Sequence, residues 1–231
     1  MVILSDLSGV FVGGAKQAAL IIKERYGDSV FLRCKRRLAE LSVEYQALLR
    51  GEIHEDFFWD EYFLLHEEQT DVNPWPFGPD EAKATLTEAI KQTIPGTLEL
   101  LKSIVAYPDI INPKFSLDDT VIVDAGNPPE LYILSDYSNE RINEVRSWHP
   151  ELFRFTNDEY WSCDLGLTKL QDEFFAEVLQ DLCIEPCEAI YIDDSEIKLD
   201  VARRAGLTGI RFENSTQLRT VFEGYGFRFK F

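Results

Sequence analysis

Near its start the chain reads Asp6-Leu7-Ser8-Gly9-Val10, directly after the apolar run Val2-Ile3-Leu4. A strand that ends in an aspartate and a glycine-containing turn presents a carboxylate nucleophile at the carboxyl edge of a sheet. Three further polar groups stand at comparable places: Ser135-Asp136 after Leu131–Leu134, Asp193-Asp194-Ser195 after Ala189–Ile192, and Lys169 just ahead of a segment carrying Phe174. In an open α/β sheet, ligands bind in the crevice outside the carboxyl ends of the strands. Each group alone is a weak sign, because an aspartate after a strand is as often a helix cap. Together, an aspartate, a hydroxyl, a lysine and an acidic pair have the logic of phosphoryl transfer through a covalent aspartyl intermediate. Asp6 is the expected nucleophile. Magnesium is expected on one oxygen of Asp6 and on Asp193, with substrate phosphate and water completing the shell that this ion prefers. Ser135 and Lys169 are expected to neutralise the equatorial oxygens as charge spreads over them. Backbone N–H groups of the turn, which Gly9 lets approach closely, complete a phosphate cradle.

The elements that must position these groups follow from periodicity. Val2–Leu4 reads as a short buried strand. From Gly13 to about Thr93 the pattern is helical: Leu38, Leu41, Tyr45 and Leu48 recur at three- and four-residue steps, and Gly51 follows as a stop. Asp80 opens another helix with Ala82, Leu86 and Ile90 on one side. This predicts a bundle of about four helices inserted after the first strand. From Pro95 the period changes to strands alternating with helices. Helices are expected over Leu98–Val105, Glu140–Trp148 and Lys198–Ala205, the last ended by Gly206. Strands are expected at Leu131–Leu134, Ala189–Ile192 and Gly209–Phe212, with β-rich stretches near Phe153–Phe155 and Tyr160–Ser162. That alternation means an α/β fold with a Rossmann-like parallel sheet and helices on both faces. The expected division is a core of residues 1–12 and 95–231 and a helical cap of residues 13–94. The Pro- and Asp-rich stretch from Tyr107 to Glu130 is long for a compact domain, and reads as a surface excursion or a flap beside the site.

Composition sets outer limits. Forty-one acidic residues against 23 basic ones give a formal charge of −18 over 231 residues. A field of that sign repels nucleic acid and anionic membrane surfaces, so neither is an expected partner. Neither a basic leader with a cleavage site nor a membrane-spanning segment is expected from the sequence. The four cysteines (Cys34, Cys163, Cys183, Cys187) lack metal-ligand spacing, and reduced thiols in a cytoplasmic protein are the expectation.

The ordered set of motifs resembles the haloacid dehalogenase-like hydrolase superfamily, in the subfamily whose helical cap follows the first motif. Asp6 to Val10 match the first motif, Leu134-Ser135-Asp136 the second, Lys169 the third, and Asp193-Asp194-Ser195 with Ala202 and Gly206 the fourth. Arg50-Gly51-Glu52-Ile53 with Phe57 and Phe58 is similar to a cap segment of that subfamily, and Ser162 to Thr168 to the lead into its lysine motif. Within the superfamily the chain resembles the group typified by alpha-D-glucose-1-phosphate phosphatase. The resemblance implies a magnesium site of Asp6, the carbonyl of Ser8, Asp193 and Asp194, with Ser8, Gly9 and Asp136 beside the substrate. It implies a small phosphorylated metabolite as substrate.

Three departures bear on mechanism. Ser8 stands where a second aspartate usually protonates the leaving oxygen and activates water, a role worth about 10²–10⁴-fold. Leu170 stands for the usual proline. Asp136 stands for an asparagine and adds negative charge near the expected phosphate. The chain therefore reads as a slow or leaving-group-selective phosphatase; a catalytically weak binding or regulatory protein and a 2-haloacid dehalogenase-type hydrolase are the alternatives. Asp194 reads as a metal partner or a helix cap, and could be both. Phe57, Phe58, Trp59, Tyr62 and Phe63 read as cap core rather than substrate pocket. Trp75, between two prolines, reads equally as lid contact or packing anchor. His54, His66 and His149 read as ordinary surface or cap histidines.

Overall fold

The computed structural model describes residues 1–30, 32, 43–62, 77–106 and 128–227. Cys34, Leu38, Leu41, Phe63, His66 and Trp75, and nearly all of the Tyr107–Glu130 stretch, lie outside these residues. Among the described residues five strands form one sheet, β1 (Val2–Ser5), β2 (Glu130–Ser135), β3 (Asp158–Trp161), β4 (Ala189–Asp193) and β5 (Thr208–Arg211), in the order β3-β2-β1-β4-β5. Every pairing is parallel. A parallel sheet is covered on both faces, and period-2 alternation sorts its side chains accordingly. Ile3, Leu131, Ile133, Ile190, Ile192 and Ile210 pack against the helices Thr97–Ala106, Asn139–Trp148 and Ser215–Gly224. Val2, Leu4, Leu134, Ala189 and Tyr191 pack on the other face with Phe174, Phe175 and Val178 of helix Asp172–Asp181 and Leu199 and Ala202 of helix Glu196–Arg204.

This is the α/β Rossmann-like parallel-sheet core expected from the sequence. The second β-rich stretch is β3, which begins two residues and ends one residue earlier than expected. The first is instead the end of a helical turn, Pro150–Phe153, and the bend that follows it; Pro150 opens that turn at its first position, where a missing N–H costs nothing.

A helical excursion interrupts the core after β1. The outgoing and returning strands lie side by side: Gly13 N–H donates to the Gln92 carbonyl at 2.9 Å and Ile94 N–H to the Phe11 carbonyl at 2.7 Å, flanking a bridge between Val12 and Thr93. Gly13 has no substitute here, since a Cβ would stand 2.3 Å from the Ala89 carbonyl oxygen. The excursion carries the helices Ala15–Tyr26, Val43–Leu49 and Pro79–Lys91, and a short turn Glu55–Phe57 running into a π-turn over Phe58–Tyr62. Its own small core contains Ile22, Leu48, Phe58, Trp59, Phe77 and Ala82. Phe58 and Trp59 thus lie in the excursion's core rather than on a surface, whereas Phe57 is exposed. His149 departs from the surface reading. It is buried, with Nε2 2.8 Å from the carbonyl oxygen of Ile90, and ties the core to the end of the returning helix.

Candidate active site

Register brings the chemistry-bearing residues to one edge. Ser5 pairs with Ile133 of β2 and with Ile192 of β4, so Asp6 leaves β1 level with Leu134 and Asp193. Asp6 N–H donates to the Ile192 carbonyl at 2.8 Å, which holds the turn against β4. Since β1 is central, with β2 on one side and β4 on the other, Asp6 lies where the chain order reverses, the usual binding crevice of such sheets.

Asp6, Ser135, Lys169 and Asp193 meet there, all buried. The Lys169 ammonium is 2.6 Å from Asp6 Oδ1 and 3.1 Å from Asp193 Oδ2, and donates to the Leu134 carbonyl at 3.1 Å. An ammonium has three N–H groups, so all are spent. Ser135 Oγ donates to Asp6 Oδ1 over a long 3.4 Å. Ligand atoms of Asp6, Asp193 and Asp194 lie within 4.8 Å of one another. Burial first, and then repulsion from Asp193, push the Asp6 carboxyl up to about 7, despite the pull of Lys169 and Lys198. Burial alone would lower Lys169, but Asp193 and Asp6 outweigh it and raise its pKa.

The remaining candidates are placed as follows. Gly9 has φ +90, and a Cβ would stand 2.5 Å from Asp194 Oδ1, so glycine lets the turn touch that carboxylate. Its N–H donates to the Val12 carbonyl at 2.7 Å. Asp194 is not a helix cap. The N-cap of helix Glu196–Arg204 is Ser195, whose N–H is held by Asp193 Oδ1 at 2.8 Å, while Asp194 pairs with Lys16 at 3.0 Å. Asp136 does not add free negative charge beside a phosphate. Its carboxylate accepts the Lys169 backbone N–H at 3.0 Å and meets the Lys198 ammonium at 2.9 Å. Burial would raise its pKa, but Lys198 and Lys169 prevail and hold it below the usual range. Ser8 is paired by its hydroxyl to the Tyr137 hydroxyl at 2.6 Å.

Several residues of this site went unread in the sequence. Lys198 lies in the first turn of a helix where only the preceding acidic pair drew notice. Tyr137 directly follows the second motif, and burial raises its pKa far above the ordinary tyrosine value. Tyr191 sits two residues before Asp193, and period-2 alternation places both on one sheet face. Its hydroxyl donates a short bond to Asp193 Oδ2.

Above Asp6 opens a cleft of about 1310 Å³ between core and excursion, lined in part by Ser8, Tyr45, Leu49, Trp59, Asp136, Tyr137, Asp194 and Lys198. A second buried ion pair forms its wall. Arg141, on helix Asn139–Trp148, donates through Nε (2.8 Å) and Nη2 (2.5 Å) to Glu55 Oε1, and through Nη1 to Thr87 (2.6 Å) and Glu144 (3.1 Å). Glu55 also accepts from the Trp59 indole at 2.9 Å and from Ser138 at 3.4 Å. Nearby, Ser162 Oγ donates to the Leu49 carbonyl and Thr168 Oγ1 to Gln46 Oε1, both at 2.6 Å. Nothing in the sequence marks Glu55 or Arg141, because the pair spans 86 residues. No helix among the described residues is long and apolar enough to cross a membrane.

No family model matches this chain. Over 59 residues it is 39% identical to flavin mononucleotide hydrolase 1 of Arabidopsis thaliana, a match covering 26% of this chain and 24% of that protein. The chain thus aligns with about a quarter of that relative's length. Solved structures resemble it almost throughout. A HAD family enzyme of Bacteroides thetaiotaomicron, in complex with magnesium and inorganic phosphate, is 17% identical with a TM-score of 0.60 over 95% of this chain and 98% of that one. A putative HAD-hydrolase of Bacillus subtilis bound to magnesium is 16% identical, TM-score 0.61, over 96% and 98%. A dehalogenase with an intermediate complex is 16% identical, TM-score 0.61, over 92% and 84%. At such identities the likeness is one of fold, and the fold is haloacid dehalogenase-like.

Proposed function

We propose that this haloacid dehalogenase-like chain is a magnesium-dependent hydrolase of a small phosphomonoester, with residues 1–12 and 95–231 as its working core and residues 13–94 as its cap. The carrying observation is the surplus of negative charge at the sheet edge. Asp6, Asp193 and Asp194 have ligand atoms within 4.8 Å of one another, and the buried lysine among them has no N–H to spare. This donor set fits magnesium: hard oxygen ligands, few in number, opening through Asp6 and Asp194 onto a cleft with room for water and phosphate. A dication also offsets the burial and the repulsion from Asp193 that push the Asp6 carboxyl up to about 7. Asp6, Asp193, Asp194 and the Ser8 carbonyl would hold the ion, which when bound supplies positive charge to the phosphoryl oxygens.

Asp6 then attacks phosphorus through a carboxylate oxygen while the bond to the leaving oxygen breaks, giving an aspartyl phosphate. Water then attacks that phosphorus as the bond to Asp6 breaks; one of its protons stays on the released phosphate, the other passes through solvent to the departed alkoxide or phenolate, and the Asp6 carboxylate is restored. Lys169 and Ser135 hold the equatorial oxygens, Lys169 by exchanging one of its present contacts. Lys198 and Asp136 form a neutral pair at the rim, so Asp136 does not repel the substrate. No carboxylate stands at Ser8 to protonate the leaving oxygen. Esters with good leaving groups, such as sugar 1-phosphates or aryl phosphates, are the favoured substrates.

The test is an assay with p-nitrophenyl phosphate and a panel of sugar phosphates, with and without magnesium. Flavin mononucleotide belongs in that panel, as the substrate for which the Arabidopsis relative is named. Turnover that needs both magnesium and Asp6 supports the proposal. Its absence in wild type at high enzyme concentration would sink it. A second reading, a weak or inactive binding protein, is favoured by the Ser8–Tyr137 hydroxyl pair, which is neutral where a proton-transfer group is needed. Magnesium-induced thermal stabilisation without turnover is its signature. Halide release from a 2-haloacid without metal would instead favour a dehalogenase, a reading in which the acidic trio has no task.

A further inference from the structure

Asp193 is held more completely than a side chain that only has to bind a cation. Its Oδ1 accepts the Ser195 N–H at 2.8 Å, and its Oδ2 accepts both the Lys169 ammonium at 3.1 Å and the Tyr191 hydroxyl. Each carboxylate oxygen offers two acceptor sites, so Oδ2 is full and Oδ1 keeps one. Tyr191 is wholly buried in β4. Its ring packs edge-on to Phe175 with centroids 5.0 Å apart, and the Lys169 ammonium stands 5.8 Å from its centroid. A phenylalanine would fill that apolar space equally well. The hydroxyl therefore needs a reason beyond packing, and among the described residues its hydrogen bond goes to the carboxylate oxygen that Lys169 also binds.

We propose that Tyr191 is a positioning residue that sets cation selectivity: by occupying Asp193 Oδ2 it makes Asp193 a one-oxygen ligand. This rests on the cation site of the proposed function. A carboxylate limited to one oxygen suits magnesium, which demands near-octahedral single contacts. It handicaps calcium, which takes six to eight oxygens at roughly 2.3–2.6 Å and readily uses both oxygens of a carboxylate. Partners behind a ligand of this kind typically change metal affinity by about 10–100-fold when lost.

The experiment measures magnesium and calcium dissociation constants on the full chain by calorimetry, for wild type, Tyr191→Phe, Phe175→Leu and Asp193→Asn. Wild type is expected to prefer magnesium, with both affinities lost in Asp193→Asn. In Tyr191→Phe the ratio of the calcium to the magnesium constant should fall by about 10-fold. Phe175→Leu loosens the ring without touching the hydroxyl, so it should lower the melting temperature and leave the ratio alone. If Tyr191→Phe weakens both ions equally, or neither, the hydroxyl is only a satisfied buried donor and the inference is overturned. If wild type binds neither ion through Asp193, the cation site itself is wrong and the inference falls with it. A magnesium-loaded crystal structure of wild type gives the same answer without a variant, since both Asp193 oxygens on the ion would refute it.

Discussion

The Lys169–Asp6–Asp193 cluster and the Arg141–Glu55 clasp are both buried and stand at two sides of one cleft, yet their charges are matched differently. In the first, one lysine serves two buried carboxylates, a third lies alongside, and the nucleophile candidate is pushed up to about 7. In the second, a guanidinium meets a carboxylate through two donors, and an indole N–H and a serine hydroxyl complete the acceptor. Desolvation is costly for both, and only matched partners offset it. The clasp is matched within the protein and so joins the helical excursion to the sheet core. In the cluster two buried carboxylates share one lysine, and under the proposed function a bound cation completes the match. An unbalanced buried group is the mark of a site, and a balanced one is the mark of a joint.

The sharpest way to break this comparison is to neutralise the surplus. Asp6→Asn removes one negative charge and keeps the shape. It should abolish turnover, by about 10⁴-fold or more, while raising the melting temperature of the metal-free protein. A drop in stability would mean that the cluster is already balanced. On the other side of the cleft, Glu55→Ala or Arg141→Ala leaves a lone buried charge and should cost about 3–5 kcal/mol in urea unfolding. The two sides thus respond with opposite sign to loss of a charged group. Measured equality between them would end the distinction.

Proton binding sharpens it further. Asp6 titrates near 7 when folded and near 3.8 when unfolded, so the folded state holds a proton that the unfolded state has released. Its stabilisation is therefore fully present below pH about 4 and lost as pH rises through about 7, a slope of a few kcal/mol in total. Urea midpoints of the metal-free protein across that range should fall with pH. Saturating magnesium or Asp6→Asn should flatten the curve, and Glu55→Gln should leave the slope in place.

How much of this could be read in advance depended on the distance between partners. The five strands and the order of Asp6, Ser135, Lys169 and Asp193 were legible, because strand ends are local signals and a parallel sheet with right-handed crossovers aligns those ends. Asp136 was misread as a free charge. Its partner Lys198 lies on another element, and only β2 and the helix after β4, meeting at one edge, bring them together. His149 was misread for the same reason: its acceptor is the Ile90 carbonyl, at the end of the returning helix. The clasp was invisible, since a glutamate in a cap turn and an arginine on a helix look like two solvated charges until the two units close on each other. Tyr191 was legible in principle, on the same face and two residues from Asp193, but in a buried strand a tyrosine reads as core.

The smallest expected effect concerns the residue that most distinguishes this chain from its resemblance. Ser8 and Tyr137 hydrogen-bond to each other at 2.6 Å on the cleft wall, and burial keeps the tyrosine protonated. A neutral hydroxyl pair can orient a leaving group or a water, and that is worth about 1 kcal/mol per bond. Ser8→Ala should therefore slow hydrolysis of an aryl phosphate by less than about 10-fold and leave the magnesium constant unchanged. A loss beyond about 100-fold would place proton transfer on the hydroxyl side of Asp6. The lysine and carboxylate side would then no longer carry the chemistry alone.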